Sequence, residues 1–182
     1  QHGGTFIDCT FGGGGYSQAI LKFKDTKILA IDRDELTQKY AKSLKKKFPE
    51  RFNFFQEKFS KLNKVVEEKL NPKAIIFDLG LSSFQLSDKE RGFSFESDNS
   101  LNMEMGNNER SAYDVVNNLD RKDLATIIKV LGEEKEGKVI ANKIHKHRAK
   151  KPITNSKELA DIINQAKKNY NNYKKNLATK TF

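Results

Sequence analysis

Four short apolar runs in the first 80 residues, separated by helical patterns, constrain this chain more than any other feature. Thr5–Cys9 runs into a glycine cluster, and Lys27–Asp32 (KILAID), Phe52–Gln56 and Ala74–Leu79 (AIIFDL) are three further buried-strand patterns. Between them, Ala19, Ile20 and Phe23 mark one face of a short helix over Gln18–Phe23. Leu36, Tyr40, Leu44 and Phe48 recur every four residues on a helix that stops at Pro49; Leu62, Val65, Val66 and Leu70 mark another that ends before Pro72. Strands alternating with helices predict an α/β fold built on a parallel sheet with right-handed crossovers. Four strands are fewer than the about five or six of an average sheet. Either further strands follow Phe182 in the intact protein, or the fold is a smaller one.

After residue 80 the rhythm changes. Residues 80–110 are rich in Gly, Ser, Asn and Asp and read as a long loop, usually functional or disordered in a compact domain. Beyond it the chain reads as helical. Asp120 can cap a helix carrying Leu124, Ile127, Ile128 and Leu131, and a second helix over about Glu134–Lys150 is closed by Pro152. Asn155, with Glu158 three residues on, makes a capping-box-like start before Leu159, Ile162, Ile163 and Ala166. The expected domains are a sheet domain over 1–105, an inserted helical domain over 106–170, and a returning linker over 171–182. The polar run Lys167–Lys175 (KKNYNNYKK) is expected to be mobile.

Composition narrows the class. The 182 residues are 36% hydrophobic, enough for a core, and no apolar run approaches the roughly 20 residues of a membrane span. The single cysteine, Cys9, excludes an internal disulfide and a multi-cysteine metal site, and fits a reducing compartment. His145 and His147 lie two apart on a helix and share no face, so no metal is expected. The chain opens at Gln1 without a signal peptide and reads as a fragment. Its net charge of +10 is carried by residues 138–182, which hold 12 basic and 2 acidic residues. Lys143, Lys146, Arg148, Lys150 and Lys151 cluster around one helix end. Such a face meets a polyanion or is simply a solvated lysine-rich surface; charge alone leaves both open.

The chemistry gathers at the strand ends. Asp8-Cys9-Thr10-Phe11-Gly12-Gly13-Gly14-Gly15 joins the first strand to the first helix, where glycines let the backbone approach a ligand. Asp32 ends the second strand, where the dinucleotide fold places an acid for ribose hydroxyls. The third glycine of that fold's fingerprint would fall at Ser17, and Asp8 suits a cationic ligand better than a pyrophosphate. S-adenosylmethionine, with a sulfonium, an amino group and no phosphate, meets both conditions. A tight turn in any α/β protein is the plainer alternative. Asp78 ends the fourth strand, so Asp8, Asp32 and Asp78 are expected to converge on one crevice. Cys9 is expected to be a small buried residue.

The segments DCTFGGGGYSQAIL, AIDRD, FDLGLSSFQLSDKERGFSF and LATKTF closely resemble the ribosomal RNA small subunit methyltransferase H (MraW) family, over essentially the whole chain. The resemblance implies a class I S-adenosylmethionine methyltransferase of Rossmann-like fold with an inserted helical domain. It implies methylation of N4 of a cytosine in the decoding region of small-subunit ribosomal RNA, in the cytoplasm, with that RNA or the assembling small ribosomal subunit as partner. Carried over, the cofactor contacts fall on Gly14, Gly15, Tyr16, Asp32, Phe59, Asp78 and Gln85. Asp78 is the candidate catalytic acceptor for the target amine, and the basic cluster of the helical domain is the candidate RNA contact. Phe59 offers a ring to adenine or packs in the core; both stay open. The chain has Phe84 where the family has Pro, and Asn99–Met105 reads NSLNMEM where GPLDMRM is usual. The altered segment motivates a second reading, a catalytically impaired RNA-binding remnant.

Overall fold

A computed structural model describes residues 3–67, 69–106, 110–167 and 177–182. Strands β1 (Gly4–Asp8), β2 (Thr26–Asp32), β3 (Phe52–Gln56) and β4 (Ala74–Ile76) form one sheet in the order β3-β2-β1-β4, every pair parallel. Helices α1 (Gly15–Leu21), α2 (Gln38–Lys47) and α3 (Leu62–Val65) make the crossovers. The order reverses direction between β1 and β4, the switch point at which open α/β sheets bind ligands beyond their strand ends. The α/β expectation holds, and β3 has the expected limits.

The core of this unit is aromatic. Phe11 is buried, with ring centroids 5.5 Å from Phe52 and 5.3 Å from Phe54, and packs with Leu21, Ile28, Ala41 and Leu44. Two elements are shorter than expected. β4 ends at Ile76, because its ladder on β1 ends where β1 does, at Asp8. Helix α3 ends at Val65 although the apolar pattern continues to Leu70; it buries no residue, and a short helix without tertiary packing is not sustained.

The chain divides into two compact units, Gln1–Ser82 with Met105–Asn107, and Ser83–Glu104 with Asn108–Phe182. The second holds helices α4 (Ser83–Ser87), α5 (Ala112–Asn118), α6 (Arg121–Val130), α7 (Gly137–Arg148) and α8 (Ser156–Ala166). Its core includes Leu124, Ile128, Ile140, Ile144, Ile153, Leu159 and Ile163. Asp120 caps α6 and Asn155 caps α8 as expected. Helix α5, which the sequence did not single out, starts with a reciprocal capping box between Ser111 and Asp114.

Two expected boundaries move. The stretch expected to be a loop of the sheet domain belongs largely to the helical unit, because Leu101 is buried in the helical core and its N–H donates to the Thr154 carbonyl. The hydroxyls of Ser97, Ser100 and Ser156 donate to the carbonyls of Lys89, Glu90 and Gly92, which ties this polar stretch together. At the other end, residues 177–182 are not a linker: Ala178 is fully buried in the helical core and Phe182 packs against it. The polar run expected to be mobile lies, beyond Lys167, outside the described residues.

Candidate active site

The glycine turn is fixed from three sides. Gly12 and Gly14 have φ of 52° and 82°, left-handed values that side chains disfavour. A Cβ on Gly14 would stand 2.8 Å from two ring carbons of the buried Phe11. Gly13 and Gly15 differ: a Cβ on either meets nothing within 4 Å, so these glycines border open space.

Asp32 ties the turn to β2. One carboxylate oxygen accepts the Gly12 N–H at 2.7 Å and the other the Asp34 N–H at 2.9 Å. Burial pushes its carboxyl above the ordinary value, against the lowering effect of those donors. The Arg33 N–H is a third donor to this carboxylate, which retains acceptor capacity for a further hydroxyl.

Asp8 does not join the crevice. It is fully buried; one oxygen accepts the Ser17 hydroxyl at 2.7 Å and the other the Thr10 N–H at 3.2 Å. Burial is the main cause of its raised pKa. Asp8 therefore drops out of the expected convergence of three carboxylates on one crevice, since a sealed side chain cannot reach a ligand. Asp8 instead holds the turn through Ser17 and Thr10, two positioning residues that the sequence reading passed over. The signal was present: Ser17 stands where the dinucleotide fingerprint asks for glycine, and its hydroxyl is what the buried acid requires.

Thr10 also links the two strands at the switch point. Its hydroxyl accepts the Asp78 N–H at 2.8 Å, and the Cys9 N–H donates to the Ile76 carbonyl at 3.0 Å. Asp78 follows β4 with an exposed side chain beside the turn. Phe59 is 43% exposed, which removes core packing as its role, and its ring meets that of Phe77 edge-on at 5.6 Å. Tyr16 is 52% exposed on the first turn of α1. Gly14, Gly15, Tyr16, Asp32, Phe59 and Asp78 thus lie at or just beyond the carboxyl ends of one sheet. Gln85 is buried on α4, in the other unit. Cys9 is buried, and burial pushes its thiol up to about 11, so it is a neutral packing residue.

Among the basic cluster, Lys143, Lys146, Lys150 and Lys151 are exposed on or just past α7. Arg148 is different. Its guanidinium donates to the Val116 carbonyl at 2.6 Å and to the Leu119 carbonyl, closing the end of α5, so those donors are not offered to solvent. In the altered segment, Met103 donates its N–H to the Arg91 carbonyl, Arg91 donates to the Glu104 carbonyl, and Asn102 accepts the Ala112 N–H through its own carbonyl. Its main chain is thus bound into the helical unit. Among the described residues no group of three or more His, Cys, Asp or Glu can hold a metal, and no helix is long and apolar enough to cross a membrane.

A parallel α/β sheet with a glycine turn after β1 and an acid ending β2 defines a Rossmann-like fold. The chain belongs to the MraW methylase family, whose model matches residues 1–182. It is 43% identical over 181 residues to the ribosomal RNA small subunit methyltransferase H of Orientia tsutsugamushi (strain Ikeda), covering 98% of this chain and 58% of that protein. With the protein of the same name from Bartonella tribocorum it is 45% identical over 161 residues, 88% of this chain and 48% of that one. With that of Campylobacter jejuni (strain RM1221) it is 41% identical over 169 residues, 92% and 54%. The chain thus spans about half the length of these relatives. A solved rRNA methylase from Streptococcus thermophilus aligns at 21% identity and a TM-score of 0.37 over 46% of this chain and 49% of that one.

Proposed function

We infer that this chain is the cofactor-binding part of an S-adenosylmethionine-dependent ribosomal RNA methyltransferase. The reaction is methylation of the N4 amine of a cytosine in the decoding region of small-subunit ribosomal RNA, in the cytoplasm. The observation that carries the reading is the crevice beyond β1, β2 and β4, in a member of this family. Open space at Gly13 and Gly15 accommodates the methionine end. Asp32 keeps acceptor capacity for a ribose hydroxyl, and Phe59 has an exposed ring for adenine. The residues therefore fit S-adenosylmethionine, which when bound supplies an electrophilic methyl on a sulfonium. The sheet unit would hold it, and the exposed lysines of α7 would hold the RNA.

Asp78 accepts an N–H of the target amine and turns its lone pair out of conjugation with the ring. The methyl would pass from the sulfonium to this amine, which would give up one proton to water. Much of the rate then comes from positioning. The target base has to be splayed out of its stack, which a ribosomal RNA loop allows more readily than a duplex.

Calorimetry with S-adenosylmethionine and nucleoside mass spectrometry of small-subunit RNA, both on the full-length protein, test this reading. N4-methylcytidine is the expected product, and absence of cofactor binding would refute it. Asp32→Ala weakens cofactor binding about tenfold or more, since charge-assisted hydrogen bonds contribute roughly 1.5–3 kcal/mol each. Asp78→Ala lowers turnover more than cofactor affinity; equal losses would restrict it to cofactor binding.

A further inference from the structure

Charge in the sheet unit is unevenly spread. Residues 1–82 hold 15 basic and 10 acidic residues, and the excess lies in residues 38–64, with nine basic residues against two acids, Glu50 and Glu57. Helix α2 (QKYAKSLKKK) carries five of the nine and no acid. It borders an open groove of about 540 Å³ along β3, the edge strand, lined by Lys42 and Lys45 from α2 and by Phe54, Phe55 and Gln56 from β3.

The groove edge is already partly closed to another strand. The Ile28 N–H takes the Arg51 carbonyl on the paired side of β3, so the Phe52 carbonyl faces outward. Lys45 Nζ donates to that carbonyl at 2.6 Å and to Asn53 Oδ1 at 2.8 Å. An extended peptide adding to this edge would need the acceptor that Lys45 occupies. A polyanion has no such requirement and gains from the ammonium fixed there. Phe55 is 39% exposed beside these cations. Cations that track phosphates together with a ring that stacks a base are how proteins hold single strands without reading sequence. Gln56, which the Gln38 side chain contacts, lies in register with Asp32, so the groove reaches the carboxyl end of the sheet, where Asp32 also lies.

We propose that the α2–β3 groove is a second RNA-binding surface, holding a single-stranded segment next to the target nucleotide. This rests on the ribosomal RNA reading above and adds a surface outside the helical unit. Fluorescence anisotropy of the full-length protein with a labelled single-stranded RNA of about 12 nucleotides, across a salt series, tests it. Lys42→Gln, on the groove wall, lowers affinity several-fold and flattens the slope of log K against log salt by about 0.7. Phe55→Ala lowers affinity about fivefold or more at unchanged slope, because stacking is not ionic. Cofactor affinity stays at the wild-type value in both, which reports an intact sheet unit. Wild-type RNA affinity and slope in both variants overturn the groove and leave the RNA reading standing. A full-length protein that binds S-adenosylmethionine but no RNA overturns both. Dimers that shield β3 amides from hydrogen exchange, with RNA binding unmoved by the variants, assign the edge to a second copy and overturn the proposal.

Discussion

The two compact units are held together by different bonds. In the sheet unit, side-chain bonds at the strand ends shape turns: Asp8 to Thr10, Asp32 to Asp34, and Asp34 to Leu36 each span two residues. In the helical unit several side-chain bonds join segments distant in sequence. Asn117 exchanges two bonds with Ile153, Ser156 donates to Gly92, and Lys167 meets Glu134. The difference follows from the main chain. A parallel ladder already fastens β1 to β2 and β4, with Arg51 adding bonds to the carbonyls of Leu21, Phe23, Lys24 and Thr26. Helices satisfy their main chain internally, so only side chains can tie one to another. Asn117, Ser156, Lys167 and Glu134 are thus committed within the helical unit, whereas the exposed lysines of α7 are not.

Breaking the Lys167–Glu134 pair tests that contrast most severely. The two side chains are 10% and 5% exposed and 2.5 Å apart. Lys167→Met leaves an uncompensated buried carboxylate and costs about 3–5 kcal/mol, whereas Glu134→Leu with Lys167→Met is close to neutral. Urea unfolding of the two variants measures the difference. Burial pushes the Glu134 carboxyl up, but the Lys167 and Glu136 donors outweigh it and hold the pKa below its ordinary value. Its contribution is therefore full above the ordinary glutamate value and lost as pH falls through the lowered one. Glu134→Gln removes that acid-side loss.

Next in size is the glycine turn, where two neighbours respond differently. Gly14→Ala meets both a φ of 82° and the Phe11 ring, and costs about 2–4 kcal/mol. Gly15→Ala meets nothing and gains helix propensity of up to about 1 kcal/mol. The stabilised Gly15 variant nonetheless binds S-adenosylmethionine more weakly, because its methyl occupies the cofactor's space. Thermal unfolding and calorimetry on the pair separate the two roles; unchanged affinity in Gly15→Ala would place the cofactor elsewhere.

The same contrast explains what could be read from the sequence. Strands β1 to β3 were legible because apolar runs bounded by glycine, proline or charge have few other uses. The open glycines and Asp32 were legible because a turn of that composition has a backbone reason. Asp8 was misread because a carboxylate at a strand end looks the same whether it faces a ligand or a serine hydroxyl nine residues on. Residues 83–104 were misread for a related reason. Ser97 and Ser100 look like solvated loop residues, and only the tertiary fold supplies the carbonyls they bind. Arg148 shared the composition of its lysine neighbours, but the α5 carbonyls it caps come from a helix that the sequence reading did not resolve.

That arginine and its neighbours give the last and smallest stability effect. Arg148→Ala removes charge-assisted bonds to two carbonyls and costs about 1.5–3 kcal/mol, with little change in the salt dependence of RNA binding. Lys146→Gln, Lys150→Gln and Lys151→Gln together change stability by about 0.5 kcal/mol or less, as exposed residues do. They flatten the slope of log K against log salt by up to about 2, at about 0.7 for each phosphate released. Cofactor affinity is unchanged, because these lysines belong to the helical unit. RNA titrations at several salt concentrations, beside urea unfolding of the same variants, decide the matter. If Arg148→Ala flattens the slope and the triple variant does not, the polyanion is held by the arginine, and the division between structural and surface cations on α7 is wrong.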